Sequence, residues 1–271
     1  MLRHAFRAMG TDVELLLDAQ PGPPARDLLR CCEAEVERLE RLLSRFREGS
    51  ELSQLNRRGA MRCGPDLVRV VELALEARDR TSGLFDPTVH DAVVAAGYDR
   101  SFELLGDVTT DGRPRRCGGR VQVEGDVVSL GDGVRLDLGG IAKGYTADRV
   151  AERLATAGPC LVNLGGDLTV RSGRWPVAVT DDLTLELTAG ALATSGRDRR
   201  RWRRGGVEAH HLIDPATGLP ARTDVVRATV FAATAAEAEA LATAAFLGAE
   251  LDVPRVLVLA DGRTTVAGGL A

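Results

Sequence analysis

Cysteine is scarce in this chain, and its spacing matches no paired or metal-binding pattern. Five cysteines occur in 271 residues, an odd number, and no two of them form a C-x-x-C pair. A disulfide framework or a zinc site is therefore not expected, and reduced thiols in a cytosol fit the sequence better. The five are Cys31, Cys32, Cys63, Cys117 and Cys160.

Long apolar runs, internal repeats and an excess of one charge are also absent. The first residues contain no apolar run like that of a signal peptide, a lipobox or a membrane span, so we expect a cytoplasmic protein without membrane insertion. Lysine and arginine number 35 against 39 aspartate and glutamate residues, a net charge of −4 that gives no indication of nucleic-acid binding. The hydrophobic share of 44% is ample for one large domain or two coupled ones.

The stretch over residues 134–150 (VRLDLGGIAKGYTADRV) organises the rest of the chain. Its apolar alternation predicts a short strand, and Gly139-Gly140 lets the backbone turn before a helical pattern begins. The N–H groups and positive dipole end of such a helix attract an anion, to which Lys143 adds a mobile cation. Asp137 has a sugar hydroxyl, a base edge or Lys143 itself as candidate partners. The stretch is neither G-x-G-x-x-G nor a P-loop, and it also fits a plain strand–helix connection with a solvated lysine.

The other segments alternate between helical and β-type patterns. Helices are predicted over residues 25–46, 65–80 and 235–248. Strands are predicted at 11–18, 120–124, 126–130, 160–164, 175–179, 184–187, 191–195, 225–232, 255–259 and 264–267. This mixed order favours an α+β fold over a doubly wound sheet. The arginine-rich run 197–204 predicts a solvated loop, with contact to an acidic partner or a ligand phosphate as the alternative.

A few side chains are candidates for chemistry. Glu239 and Thr243 share one face of a predicted helix and are oxygen ligands suited to Mg²⁺, unless Thr243 bonds to its own helix and Glu239 is solvated. His210 and His211 precede an Asp-Pro turn, where a histidine is either a general base or an ordinary turn residue. Four glycine-centred loops fit a backbone that approaches a polyphosphate or a flat ring, at residues 9–11, 83–86, 138–144 and 164–167.

Eight segments in chain order resemble the ApbE family of FAD:protein FMN transferases. They are AMGTDVEL (8–15), SELSQLN (50–56), GLFDPTV (83–89), LDLGGIAKGYTAD (136–148), LVNLGGDL (161–168), ATSG (193–196), HHLIDPATGLP (210–220) and EALATAAFLG (239–248). The resemblance implies an α+β, two-lobed fold with a T-fold-like core and an FAD cleft between the lobes. Residues 1–271 would form this single domain of two coupled lobes.

The resemblance also implies an activity and its partners. Enzymes of the family use Mg²⁺ to split FAD at the pyrophosphate, attach FMN to a threonine hydroxyl of a target flavoprotein and release AMP. FAD, the metal and an acceptor threonine are thus the expected partners. Two alternatives use the same cleft: an FAD pyrophosphatase that yields FMN and AMP, and a non-catalytic FAD-binding protein.

Site residues follow from the resemblance position by position. His211 matches the histidine proposed as the base, and Lys143 lies where it can stabilise charge on the leaving AMP. Two residues depart from the family: Glu239 replaces the usual aspartate, and Phe46 replaces a tyrosine thought to lie against the flavin ring. The FAD-binding positions are Met9, Phe46, Leu84, Phe85, Asp86, Asp137, Lys143 and Ile213, and the Mg²⁺ ligands are Gly140 through its carbonyl, Glu239 and Thr243.

Overall fold

Antiparallel strands form the main sheet of this protein. The computed structural model describes residues 1–105, 113–198, 200–204 and 207–269. The strands are β1 (Leu2–Ala8), β2 (Thr11–Leu17), β3 (Ala60–Arg62), β4 (Val121–Glu124), β5 (Val127–Leu130), β6 (Cys160–Leu164), β7 (Asp167–Ala178), β8 (Thr184–Gly196), β9 (Arg201–Arg204), β10 (Val207–His210), β11 (Ile213–Asp214), β12 (Leu219–Pro220), β13 (Val225–Ala232), β14 (Arg255–Leu259) and β15 (Thr264–Ala267). Over these described ranges, the main sheet has eight strands in the order β1-β2-β6-β7-β8-β13-β14-β15. Each neighbouring pair in it is antiparallel.

Helices cover one face of this sheet and build a second core beyond it. They are α1 (Pro23–Leu43), α2 (Glu51–Arg58), α3 (Pro65–Arg80), α4 (His90–Ala95), α5 (Ala142–Leu154) and α6 (Ala235–Phe246). Helices α1 and α5 bury their apolar faces against β1, β2 and β6. Helices α5 and α6 approach so closely that a Cβ on Gly144 would lie 2.2 Å from the carbonyl oxygen of Ala235. Glycine at position 144 therefore permits the close approach of the two helices that carry Lys143 and Glu239.

The predicted strand over residues 134–138 is wrong, although the helix after it is present as α5. The backbone of this segment finds partners outside any sheet. Leu136 exchanges two hydrogen bonds with the Asn56 side chain, at 2.7 and 2.9 Å, and the Asp137 N–H donates to the Pro87 carbonyl at 2.8 Å. Alternating burial alone does not distinguish a strand from an extended segment held by side chains.

Two further predictions need correction, and both corrections concern the site. Helix α1 ends at Leu43 and not at residue 46, so that Phe46 lies in a turn and is 37% exposed. The run 197–204 is not a loop throughout, because residues 201–204 form β9, in which Trp202 is buried and donates its indole N–H to the Ala96 carbonyl. Arg199 lies outside the described residues. The separate strands predicted at 175–179, 184–187 and 191–195 belong to the two long strands β7 and β8.

The α+β prediction is confirmed, with long antiparallel strands and separate helices in the same chain. Strands β13, β14 and β15 and helix α6 lie close to where the periodicity placed them. Among the residues described, no helix combines the length and the apolar character that crossing a bilayer requires. The division into two coupled lobes stays a prediction.

Candidate active site

A cleft of about 870 Å³ lies where the glycine-centred loops meet the sheet. Its walls come from the β1–β2 turn, the end of α1, residues 84–89, residues 137–143, the β6–β7 turn, strands β7 and β8, residues 211–215 and helix α6. All twelve site residues named from the resemblance line this cleft, although they are spread over the chain from Met9 to Thr243. Their individual roles stay predictions.

Lys143 is the charged centre of the cleft. It belongs to the first turn of α5, and its ammonium lies 2.7 Å from a carboxylate oxygen of Asp167 and also contacts the carboxylate of Glu239. The second oxygen of Glu239 accepts the backbone N–H of Gly144 at 2.8 Å. A protein carboxylate therefore already occupies part of the positive end of α5, which we predicted as an anion site from the sequence.

Burial and neighbouring charges both shift the pKa values of the groups in this cluster. Burial lowers the pKa of Lys143, but the neighbouring carboxylates of Asp167 and Glu239 outweigh burial and raise the pKa above its ordinary value. Burial is also the largest effect on Glu239, and together with the charge of Asp167 it raises the pKa of that carboxyl. The ammonium thus stays charged, and it is the group that makes two buried carboxylates tolerable at one place.

Hydroxyl groups extend the set of oxygen atoms beside this cluster. The hydroxyls of Thr243 and Ser195 lie 3.1 Å apart, and Thr243 also bonds to the Glu239 carbonyl one helical turn earlier. A Cβ on Gly140 would lie 3.5 Å from the Thr243 hydroxyl, so the glycine loop passes directly beside it. Carboxylate, hydroxyl and carbonyl oxygens are the hard donors that Mg²⁺ prefers, and the residues present therefore fit the metal that the resemblance implies.

His211 lies in the same cleft, at the end of the β9–β10 hairpin. Its ring meets that of Tyr98 edge-on at a centroid distance of 6.4 Å, and its Nδ1 is buried without a hydrogen-bond partner among the described residues. Burial, followed by the charge of Arg200, lowers the pKa of His211 to about 3. The neighbouring His210 does not line the cleft, and its Nε2–H donates to the Ala221 carbonyl at 3.0 Å.

The low pKa of His211 predicts that acid destabilises the protein in a defined range. The unfolded chain binds a proton on this ring below about pH 6.5, whereas the folded protein does so only near pH 3, so the free energy of unfolding falls as the pH falls between these values. The charged groups acting on the ring are Arg200, His210 and Lys143. We expect His211→Asn to show a weaker decrease in urea midpoint between pH 7 and pH 5 than the unaltered protein. Parallel decreases would contradict the buried neutral state.

Asp137 and Phe46 lie at another wall of the cleft, joined by an arginine. The Nε of Arg45 is 2.8 Å from one carboxylate oxygen of Asp137, and the other oxygen accepts the N–H of Gly139 at 2.7 Å. The Arg45 guanidinium lies 4.1 Å from the centre of the Phe46 ring. Asp137 is therefore paired with Arg45 and not with Lys143, which the sequence analysis gave as one of its candidate partners.

Four predicted contacts owe their positions to tight local structure. Met9 is the first residue of the two-residue turn between β1 and β2, where its φ of 52° and that of Gly10, 66°, match the turn that favours hairpins. Phe85 packs against Gly140, and Ile213 is buried in β11 beside Trp202. Asp86 is engaged within its own loop, where one oxygen accepts both the N–H and the hydroxyl of Thr88 at 2.8 Å.

The sequence analysis did not name Arg45, Asp167, Ser195 or Arg200 as site residues, although all four line the cleft. Asp167 ends the segment Leu164–Asp167, whose glycines were noted but whose acid was not. Arg200 falls within the arginine-rich run, for which contact with a ligand phosphate was one alternative. The sequence also distinguishes Lys143 as a site residue, since it is the single lysine among 35 lysine and arginine residues of the chain.

The fold and the cleft define an α+β protein in which the buried Lys143 ammonium lies beside the carboxylates of Asp167 and Glu239, with the hydroxyls of Thr243 and Ser195 in the same cleft. The chain belongs to the ApbE family, because the model of that family matches residues 9–264. The resemblance inferred from the eight segments is thereby confirmed.

Individual relatives agree with this assignment. The chain is 31% identical over 248 residues to an FAD:protein FMN transferase of Treponema pallidum, covering 78% of this chain and 68% of the relative. It is 32% identical over 279 residues to one of Rhodobacter capsulatus, covering 93% of this chain but only 52% of the relative. The crystal structure of the ApbE protein of Thermotoga maritima is similar with a TM-score of 0.86 and 26% identity, over 98% of this chain and 96% of that one.

Proposed function

We propose that this protein transfers FMN from FAD to a threonine hydroxyl of a target flavoprotein, releases AMP and depends on Mg²⁺. The observation that carries the proposal is the cluster of Lys143, Asp167 and Glu239 beside the Thr243 hydroxyl, in the cleft that also holds His211. Phosphoryl transfer needs chiefly positioning and neutralisation of charge, which such a cluster supplies. A cleft of about 870 Å³ also has the size of known ligand sites.

The relatives support the coarser part of this proposal. Their name, FAD:protein FMN transferase, identifies FAD as the flavin donor and a protein as the acceptor. Mg²⁺, the acceptor threonine and the release of AMP rest on the family resemblance and on the chemistry of the residues in the cleft. A cytoplasmic location rests on the cysteine pattern.

The proposed reaction is a single displacement at phosphorus. The threonine oxygen forms a bond to the phosphorus on the FMN side, the bond from that phosphorus to the bridging oxygen breaks, and AMP leaves with the bridging oxygen. The hydroxyl proton passes to the neutral ring of His211, which lines the cleft and whose Nδ1 has no hydrogen-bond partner among the described residues. Lys143 holds positive charge where the phosphate charge develops on the leaving group.

Metal binding falls to Glu239, Thr243 and the carbonyl of Gly140 in this proposal. When bound, Mg²⁺ neutralises pyrophosphate charge and polarises its oxygens. The metal would compete with the Lys143 ammonium for the Glu239 carboxylate, and Asp167 would remain as a counter-ion of the ammonium. The same contact supports the second candidate, a non-catalytic FAD-binding protein, because a glutamate held by Lys143 and by the Gly144 N–H is less available to a metal.

One incubation separates the candidates. The purified protein is mixed with FAD and Mg²⁺, with and without a threonine-containing acceptor peptide, and AMP and the intact mass of the peptide are followed together. The transferase gives AMP and a peptide heavier by one FMN group. AMP with free FMN in the absence of peptide indicates the pyrophosphatase. Bound FAD without AMP, in Mg²⁺ and also in Mn²⁺, indicates the binding protein and contradicts the proposal.

A further inference from the structure

Arg45 has a buried side chain whose polar contacts all point to one wall of the cleft. The side chain is 7% exposed, and its Nε lies 2.8 Å from Asp137. A terminal nitrogen donates to the carbonyl of Tyr98 at 2.8 Å. The guanidinium also lies 4.1 Å from the centre of the Phe46 ring and 4.7 Å from that of Tyr98. One side chain thus contacts both the carboxylate and the aromatic ring that line this part of the cleft.

The ion pair changes what Asp137 can bind. A carboxylate offers about four lone-pair positions, of which Arg45 and the Gly139 N–H occupy one each. Asp137 lines the cleft and is 10% exposed, so positions remain for a ligand. Because Arg45 already balances the charge of Asp137, a second cation gains little there, whereas a neutral N–H or O–H donor gains a charge-assisted hydrogen bond.

The same arginine also fixes the aromatic part of the wall. Phe46 is 37% exposed and follows the end of α1, where no helical hydrogen bond holds it. Its ring has the Arg45 guanidinium on one side and lies 5.4 Å from the Tyr98 ring. A planar guanidinium packs flat on such rings and keeps directed N–H groups at its edge, which the point charge of a lysine cannot do.

We propose that Arg45 is a positioning residue that holds Asp137 and Phe46 together as one recognition unit for a flat ring with a neutral hydrogen-bond donor. The inference rests on the proposed function, because FAD carries two such rings, the isoalloxazine and the adenine. In this proposal Arg45 acts through Asp137 and Phe46 and not through a contact of its own with the ligand. The unit adds ring recognition to the cleft, apart from the charged cluster around Lys143.

A double-mutant cycle in FAD binding tests this role. Kd for FAD is measured by flavin fluorescence without metal for the unaltered protein, Arg45→Met, Asp137→Asn and the double variant. We expect each single change to weaken binding about 10- to 100-fold, the loss typical of a charged hydrogen bond. The two single losses should not multiply in the double variant, because part of the Arg45 effect passes through Asp137, and the loss that Arg45→Met adds to Asp137→Asn is the part that passes through Phe46. Arg41→Met, an exposed arginine of α1 paired with Glu37, is the matched control and should leave Kd unchanged.

Thermal unfolding of each variant separates positioning from a purely structural role. A structural role predicts a lower Tm for Arg45→Met with unchanged Kd, and that result overturns the inference. The inference is also overturned if the fold increases in Kd of the two single variants multiply in the double variant. If Arg45→Met does not fold, Arg45→Lys replaces it in the same cycle. An unaltered protein that binds no FAD contradicts the proposed function, whereas FAD binding that is insensitive to residue 45 contradicts the positioning role alone.

Discussion

Replacing His211 with asparagine is expected to lower the rate of FMN transfer about 100- to 10,000-fold, the usual contribution of a general base. A threonine hydroxyl is a weak nucleophile at neutral pH, so its proton must be taken as the oxygen attacks. FAD binding should change little, because the charged cluster around Lys143 and the wall formed by Asp137 and Phe46 are left intact. The change is therefore expected in kcat rather than in the Kd for FAD.

The surroundings of His211 keep its ring neutral, the form that a base requires. Burial and Arg200 lower its pKa to about 3, so the ring is neutral throughout the range in which enzymes work. A base with so low a pKa is weak in the empty cleft. In the proposed reaction the pyrophosphate of FAD brings negative charge toward the cations of the cleft, and we expect this charge to raise the pKa of His211 toward a more effective value. Substrate binding and activation of the base are then linked.

The assay compares AMP release and FMN attachment for His211→Asn and for His4→Asn. His4 lies in β1 and pairs with Glu33, away from the lining of the cleft, so its replacement should leave transfer unchanged. Kd for FAD is measured on both variants. Transfer at the unaltered rate in His211→Asn would remove the histidine from the mechanism, and a large loss of FAD binding would show that it holds substrate instead.

Periodicity predicted the elements whose burial pattern is simple. Helix α3 and strand β13 appear near their predicted places because the helix buries one face (Leu67, Val70, Val71 and Ala74) and the strand buries most of its residues. The segment 134–138 shows the same alternation but is held by Asn56, about 80 residues earlier in the chain, and no local pattern reveals that partner. Helix α1 ends early for a similar reason, since Arg45 leaves the helix to reach Asp137.

Only the family resemblance allowed the residues of the candidate site to be predicted together from the sequence. Composition and spacing suggested that Glu239 and Thr243 share a helix face, but not that Lys143 lies against that face. The close approach of α5 and α6 at Gly144 creates that contact, and it depends on tertiary packing. Arg45 and Asp167 were missed because a buried charge looks like a surface charge until its partners are known.

The single lysine is the signal that the sequence did offer. Arginine is the residue at every other lysine or arginine position of the chain. Lysine at position 143 therefore indicates a site where a planar guanidinium cannot replace the compact ammonium. The structure supplies a reason, because a compact ammonium contacts two carboxylates and lies 3.5 Å from the Gly139 carbonyl. Residue usage across a whole chain can therefore indicate a site that no local motif reveals.

Replacing Lys143 with methionine is expected to lower the free energy of unfolding by about 3–5 kcal/mol, the cost of removing one partner from a buried ion pair. Asp167 and Glu239, each 4% exposed, would then face each other without a cation. Mg²⁺ should raise the Tm of Lys143→Met more than that of the unaltered protein, because it no longer competes with the ammonium for the carboxylates. Lys143→Arg is the matched variant: it keeps the charge, so it should be more stable than Lys143→Met, yet it should lose activity because the guanidinium is too large for the same position.

The same residue provides a readout that does not depend on turnover. Lysine labelled with ¹³C at Cε gives one side-chain resonance in this protein, since the chain holds one lysine. The raised pKa of Lys143 predicts that this resonance stays at its protonated position at pH values where a free lysine has begun to titrate. It should shift when Mg²⁺ is added, as Glu239 turns from the ammonium to the metal, and shift again with FAD. A resonance that titrates like free lysine and ignores both additions would show that the ammonium is not held between Asp167 and Glu239, and the proposed site would lose its charged centre.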